Sequence, residues 1–352
     1  MTKVLKQLIL ICLSMIIIFP AAAMGVKDTV NDIEVEKEIP ETVYIEDSMG
    51  NQVPLPAGTD RIICTNSGLS VLLAALGKGD SIVGRDSNST FPSYLKDIYV
   101  VAENSSRPNI ELILEKHPDL ILADNMMPET AFNKFRSLGI PVAIFKTSDP
   151  RAFEHTILNV GALTGSSVQA KRMVDDMITR EKKITDIVAR AQAAQNSGVR
   201  VFYENRKPYS SVSARSGNHI PLAAAGGINI AADEPVSSPH LSIEYVLEQN
   251  PDVIIRRMSG DGSVEDMQVM LDLLVNRTGI GRVNAVVNNR VHIMKSDLTL
   301  LLRYPAALAY MASWFYPDYA DEIDPEGVHK NIIDTYFGSE EWEKTKEIFV
   351  YP

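Results

Sequence analysis

Arginine, asparagine and tyrosine recur in this chain just after short apolar runs. Asn66 follows RIICT, Arg85 follows SIVG, Asn125 and Met126 follow DLILAD, and Tyr203, Asn205 and Arg206 belong to RVFYENR. Tyr209 comes soon after, Arg257 ends DVIIRR, and Arg303 and Tyr304 open a helical stretch beyond RVHIM. A guanidinium presents a rigid fork of donors that pairs a carboxylate through two parallel bonds. Tyrosine and methionine pack large flat or apolar bodies. Together these residue types suit non-covalent capture of an anionic or carboxylate-bearing small molecule. The same arginines could as well neutralise local acids, Asp86 or Glu204 for example.

Metal and catalytic chemistry leave fainter traces. Histidines stand at 117, 155, 219, 240, 292 and 329, and none falls at the positions just named. A receptor for bare Zn2+ or Mn2+ needs His and carboxylates to converge; His219 and His240, in loops able to approach a cleft, are the pair that would serve. His117 ends a helix, where an imidazole suits the dipole, and His292 alternates with apolar neighbours. The sequence has no G-x-S-x-G elbow, H-E-x-x-H or paired-cysteine motif. GIGR at 279–282 lacks the third glycine and the preceding strand of a dinucleotide loop. A non-enzymatic protein is expected, with a secreted hydrolase of unrecognised type and a purely structural surface protein as lesser alternatives.

The elements that position these residues alternate. Strand-like runs RIICT, SIVG, DLILAD and PVAIF are separated by helical stretches at 68–76, 109–116 and 128–138, after a hairpin turning at Met49-Gly50-Asn51. Such alternation predicts an α/β domain with a mostly parallel sheet. At 166–196 the rhythm breaks: Val174, Met177, Ile178, Ile184, Ile187, Val188 and Ala191 recur at three- and four-residue steps, predicting one long helix capped by Ser166 or Ser167. Alternation then resumes, with helices near 219–225, 263–275, 303–315 and 326–337. The fold class is therefore α/β: two similar lobes, each with a mostly parallel sheet flanked by helices, joined by one long helix. The expected boundaries are 41–164, 165–197 and 198–352.

Ahead of them, Lys3 and Lys6 precede an apolar run from Leu8 to Phe19 and the small residues PAAAM, a secretory signal over 1–23 that is either cleaved or retained as an anchor. An acidic, aperiodic leader covers 24–40. The chain's 34 Lys and Arg against 45 Asp and Glu give −11, and losing the two signal lysines makes −13; such a surface repels phosphate backbones, so no nucleic-acid partner is expected. Cys64 is the one cysteine left after the signal and reads as a buried small hydrophobe. Asn88, Asn104 and Asn276 open glycosylation-type triplets, a weak signal. The protein is expected outside the cytoplasm.

One unit occurs twice. NIELILEKHPDLIL at 109–122 and SIEYVLEQNPDVII at 242–255 share seven of fourteen positions. Each has an N-cap (Asn109, Ser242), a buried stripe, a proline stop and a strand. Glu111 and Glu244 fall in the first turn, where a carboxylate complements the positive end of the helix.

With DSMGNQVPLPAGTDRIICTN, LLAALGKGDSIVGRD, LGIPVAIF, AAAGGINIAAD and WFYPDYADEIDP, the repeated unit makes the chain resemble solute-binding proteins of ABC importers for ferric siderophores, haem and cobalamin, over roughly residues 43–338. The resemblance implies two lobes on a connecting helix, with the ligand between them. It implies that a metal chelate, a ferric siderophore first and a corrinoid or haem next, is captured by a monomer, the metal entering only as part of that ligand and no other cofactor being needed. It further implies that Glu111 and Glu244 dock onto arginines of a permease dimer served by its ATPase subunits. A bare transition-metal ion is the alternative ligand.

Overall fold

A computed structural model of the protein describes residues 43–55, 58–195 and 198–352. The expected signal and leader lie outside the described residues. The chain opens with the hairpin β1 (Tyr44–Glu46) and β2 (Gln52–Pro54), turning through Gly50 at φ +83° while the Asp47 carboxylate accepts from the N–H groups of Met49 and Asn51. Five parallel strands follow: β3 (Ile62–Cys64), β4 (Ile82–Asp86), β5 (Val100–Ala102), β6 (Leu120–Asp124) and β7 (Val142–Phe145), in the spatial order β5-β4-β3-β6-β7. The second sheet holds β8 (Val199–Glu204), β9 (Gly227–Asn229), β10 (Val253–Met258), β11 (Val291–Lys295) and β12 (Val350–Tyr351), in the order β12-β11-β10-β8-β9. Only β12 among these runs antiparallel to its neighbour.

The connecting helix spans Ser167–Ala194, 28 residues, or roughly 42 Å at 1.5 Å per residue. Its buried stripe comprises Ala170, Met173, Val174, Met177, Ile184, Ile187, Val188 and Ala191. Ile178, expected in that stripe, is instead exposed, and Ser166 occupies the N-cap position without a side-chain capping bond. The inner faces of both sheets, this helix and the buried helix Tyr304–Phe315 share one continuous core. Separate smaller cores lie under the outer face of each lobe. Cys64 is fully buried, and burial pushes its thiol up to about 12, so it behaves as an inert small hydrophobe. No helix among the described residues is long and apolar enough to cross a membrane.

The repeated unit has a matched structural logic. Its helices are Ile110–Glu115 and Ile243–Gln249, capped by the side chains of Asn109 and Ser242. Each ends in a left-handed residue before its proline, His117 at φ 47° and Asn250 at φ 40°. Asp119 then accepts from the Arg61 N–H, and Asp252 from that of Arg200. In return the arginine Nε donates to the helix's last carbonyls: Arg61 to Lys116 at 3.0 Å and Arg200 to Gln249 at 2.7 Å. The Pro-Asp pair thus locks each helix end to the first strand of its own lobe, satisfying carbonyls that a helix terminus leaves unpaired.

Candidate ligand-binding cleft

In an open parallel sheet, the crevice for a ligand lies beyond the strands' carboxyl ends where the chain order reverses. In the first lobe that point falls between β3 and β6. There Asn66 caps the helix Ser67–Ala75 through Oδ1, and its Nδ2 donates to Asp124 Oδ2 at 2.8 Å. In the second lobe the reversal falls between β8 and β10, where Arg257 Nη1 donates to Asn205 Oδ1 at 3.1 Å. Each switch point is therefore bridged by an asparagine side chain, to a carboxylate on one wall and to a guanidinium on the other.

The two walls face each other. Around them the lobes touch through the ion pair Lys96–Asp261 (3.0 Å), and Ser93 Oγ donates to Glu341 Oε2 at 2.8 Å. The Phe91 ring packs edge-on against Phe337 and Phe349. A β-carbon placed on Gly68 would meet Leu300, and one on Gly217 would meet Ser148 and Asp149. Burial raises the Asp124 carboxyl; bonds from Met126, Asn66 and Ser105 oppose that rise, as does the Arg206 charge from the opposite lobe. Burial likewise brings Asp86 up to about 6 against hydrogen bonds from Ser89 and Asn88. The first wall is acidic and the second basic: burial depresses the half-buried Arg257, and Arg206 beside it acts the same way.

Of the expected ligand contacts, Asn66, Asn125, Met126, Asn205, Arg206 and Arg257 lie at these strand ends with exposed or half-buried side chains. Four others are withdrawn into the interior. Arg85 is buried, and its guanidinium serves the carbonyls of Asp86, Lys96 and Ile98. Tyr203 points into the core under β8. Arg303 is fully buried between Phe91 and Phe349 and pairs with Asp297. The Tyr304 hydroxyl donates to Glu181 of the long helix. These corrections share a cause: apolar strand ends continue into packed loops, so "after the strand" does not mean "in the crevice". Tyr209 is half-buried with its ring 5.3 Å from the Arg277 guanidinium.

His219 Nδ1 sits 3.1 Å from Asn229 Nδ2, and His240 is exposed in a bridge with Ser210. Among the described residues, no group of three or more His, Cys, Asp or Glu is placed to hold a metal ion. Glu111 and Glu244 are exposed in the first turns of their helices.

Acids that the sequence reading offered at most as local partners for arginines now stand out. Asp86, Asp124 and Glu204 are each the last residue of a buried strand, β4, β6 and β8. An ionisable residue closing an otherwise apolar strand was the available signal. Arg256 and Arg277, which hold Glu204, gave none, because 73 positions separate Arg277 from its partner.

Residues 62–298 match the sequence profile of the family described as periplasmic binding protein. A cobalamin-binding protein of Halobacterium salinarum is 27% identical over 294 residues, covering 81% of this chain and 78% of its own. A vitamin B12-binding protein of Vibrio cholerae is 30% identical over 203 residues, 57% of this chain and 71% of its own. Among solved structures, a haem-binding protein from Roseiflexus sp. RS-1 superposes with a TM-score of 0.64 at 26% identity, over 74% of this chain and 99% of its own. With the profile match spanning most of the chain, and two lobes meeting at opposed switch points, this protein is a member of the periplasmic binding protein family, the substrate-binding receptors of ABC importers.

Proposed function

We propose that the protein is an extracytoplasmic receptor that captures a metal chelate, a corrinoid foremost, between its lobes and delivers it to an ABC permease. The observation that carries this reading is the pairing of walls: Asn66, Asp124 and Asn125 on one side, Asn205, Arg206 and Arg257 on the other. A ferric siderophore was the first expectation. A multiply anionic chelate, however, would lie against a first wall backed by the buried carboxylates of Asp86 and Asp124. A corrinoid presents many amides and a single phosphodiester, which suits asparagines on both sides and guanidiniums on one. The likeness to proteins named for cobalamin supports the same order. Glu111 and Glu244, one exposed carboxylate per lobe in matching helical turns, are the proposed contacts to the two permease subunits.

Native mass spectrometry of protein purified from its own source tests the reading. A co-purified corrinoid, removed on unfolding, is expected. A bound ferric siderophore or haem would keep the receptor and change its cargo; a bare metal ion as sole ligand would overturn the chelate reading.

A further inference from the structure

Two cleft residues of the second lobe, Asn205 and Arg206, stand on the turn 205–209, and that turn is held from behind by buried charge. Glu204 has no exposed surface. Its carboxylate accepts from both terminal nitrogens of Arg277, the longer bond being 2.9 Å, and lies 3.4 Å from Arg256 Nε. It also accepts from the Tyr209 backbone N–H at 2.6 Å. Arg256 in turn donates through Nη1 to the Asn205 carbonyl and through Nη2 to the Arg206 carbonyl. One carboxylate thus anchors both ends of the turn: Tyr209 directly, Asn205 and Arg206 through Arg256.

Two features argue that this assembly does more than stabilise. Buried ion pairs often contribute no more to stability than apolar residues of the same volume. Tyr209 also sits at φ 59°, a left-handed conformation costly for a side chain of its size, which persists only where the surroundings over-determine it. Such an arrangement fits a requirement for fixed geometry.

We propose that Arg277, Glu204 and Arg256 form a positioning triad that presents Arg206 and Arg257 to the ligand already oriented, so that little ordering remains to be done on binding. Arg257 enters through Asn205, whose side-chain oxygen takes its Nη1. The triad residues are positioning residues, and the inference rests on the cleft being the ligand site.

Arg277→Met keeps the stem and removes the fork; Arg277→Lys returns a charge without it. In ligand-free protein, hydrogen exchange at the amides of residues 205–207 and 209 should quicken about tenfold in Arg277→Met, while β8 and β10 stay protected. Titration with cyanocobalamin then forms a cycle with Arg206→Ala. Each single variant should weaken binding roughly tenfold, the scale of one charge-assisted bond. The double variant should lose clearly less than the product of the two single losses, the remainder being the loss that passes through Arg257, and Arg277→Lys should recover part of the loss. A merely structural role would lower the melting temperature yet give losses that multiply, and that result overturns the proposal. Unchanged exchange in Arg277→Met also overturns it, whatever the ligand. Faster exchange with no cobalamin binding in any variant upholds the clamp and removes only the corrinoid reading.

Discussion

Replacing Asp86 by Asn should remove a specific pH dependence of folding. Asp86 is 1% exposed at the end of β4, and burial raises its carboxyl from 3.8 to about 6. With the folded value above the unfolded one, the folded state binds more protons across that window. Its stabilising contribution is fully present below about pH 4 and is lost as pH rises through about 6. A shift of about two units at 1.36 kcal/mol each makes the ionised carboxylate cost about 3 kcal/mol at neutral pH. Asn keeps the shape, with an oxygen to accept from the Asn88 N–H and an amide NH2 turned to the Ser89 hydroxyl, which can accept from it, but does not ionise. Urea unfolding of both proteins from pH 4 to pH 7 reads the effect as a difference, so that carboxylates common to both, such as the Arg151-paired Asp149, cancel. The variant should gain about 3 kcal/mol on wild type over that range. Profiles parallel to within about 0.5 kcal/mol, the scatter of an inconsequential substitution, would refute the reasoning.

Further outcomes follow from other parts of the molecule. Gly226→Ala should cost at least about 2 kcal/mol, because a β-carbon there lies 2.5 Å from Tyr316 Oη at φ +83°; an unchanged melting temperature would contradict this. Replacing both Glu111 and Glu244 with Ala should leave ligand affinity near wild type while weakening stimulation of the importer's ATPase, and unaltered stimulation at several ionic strengths would remove their docking role. Solution scattering with and without ligand should give nearly equal radii of gyration, since one core runs through the long helix into both lobes; a contraction of several ångströms would show a hinge the packing does not contain.

The legible parts of the fold were those with strong periodicity or punctuation. The long helix declared itself through a stripe of three- and four-residue steps, and the repeated unit through its cap, proline and strand. The short strands β5, β9 and β12, two or three residues each, and the helix Phe153–Leu163 carried too little local pattern and are fixed by tertiary pairing. At the candidate cleft, the rule that ligands gather beyond strand ends led to Asn66, Asn125, Asn205, Arg206 and Arg257, which the topology leaves exposed or half-buried there. It could not distinguish them from Arg85 and Arg303, whose guanidiniums turn inward to carbonyls and to Asp297. Side-chain direction depends on neighbours distant in sequence. The Glu204 triad was invisible for the same reason.

Titration calorimetry against cyanocobalamin, a ferric siderophore, haem and Zn2+ puts the receptor reading at risk in a single experiment. Saturable one-to-one binding of the corrinoid is expected, weakened roughly tenfold to a hundredfold by Arg206→Ala or Arg257→Ala, the range set by one charge-assisted hydrogen bond. Tight binding of free Zn2+ with no heat from any chelate would contradict it, and would shift the site from Arg206 and Arg257 to His219 and His240.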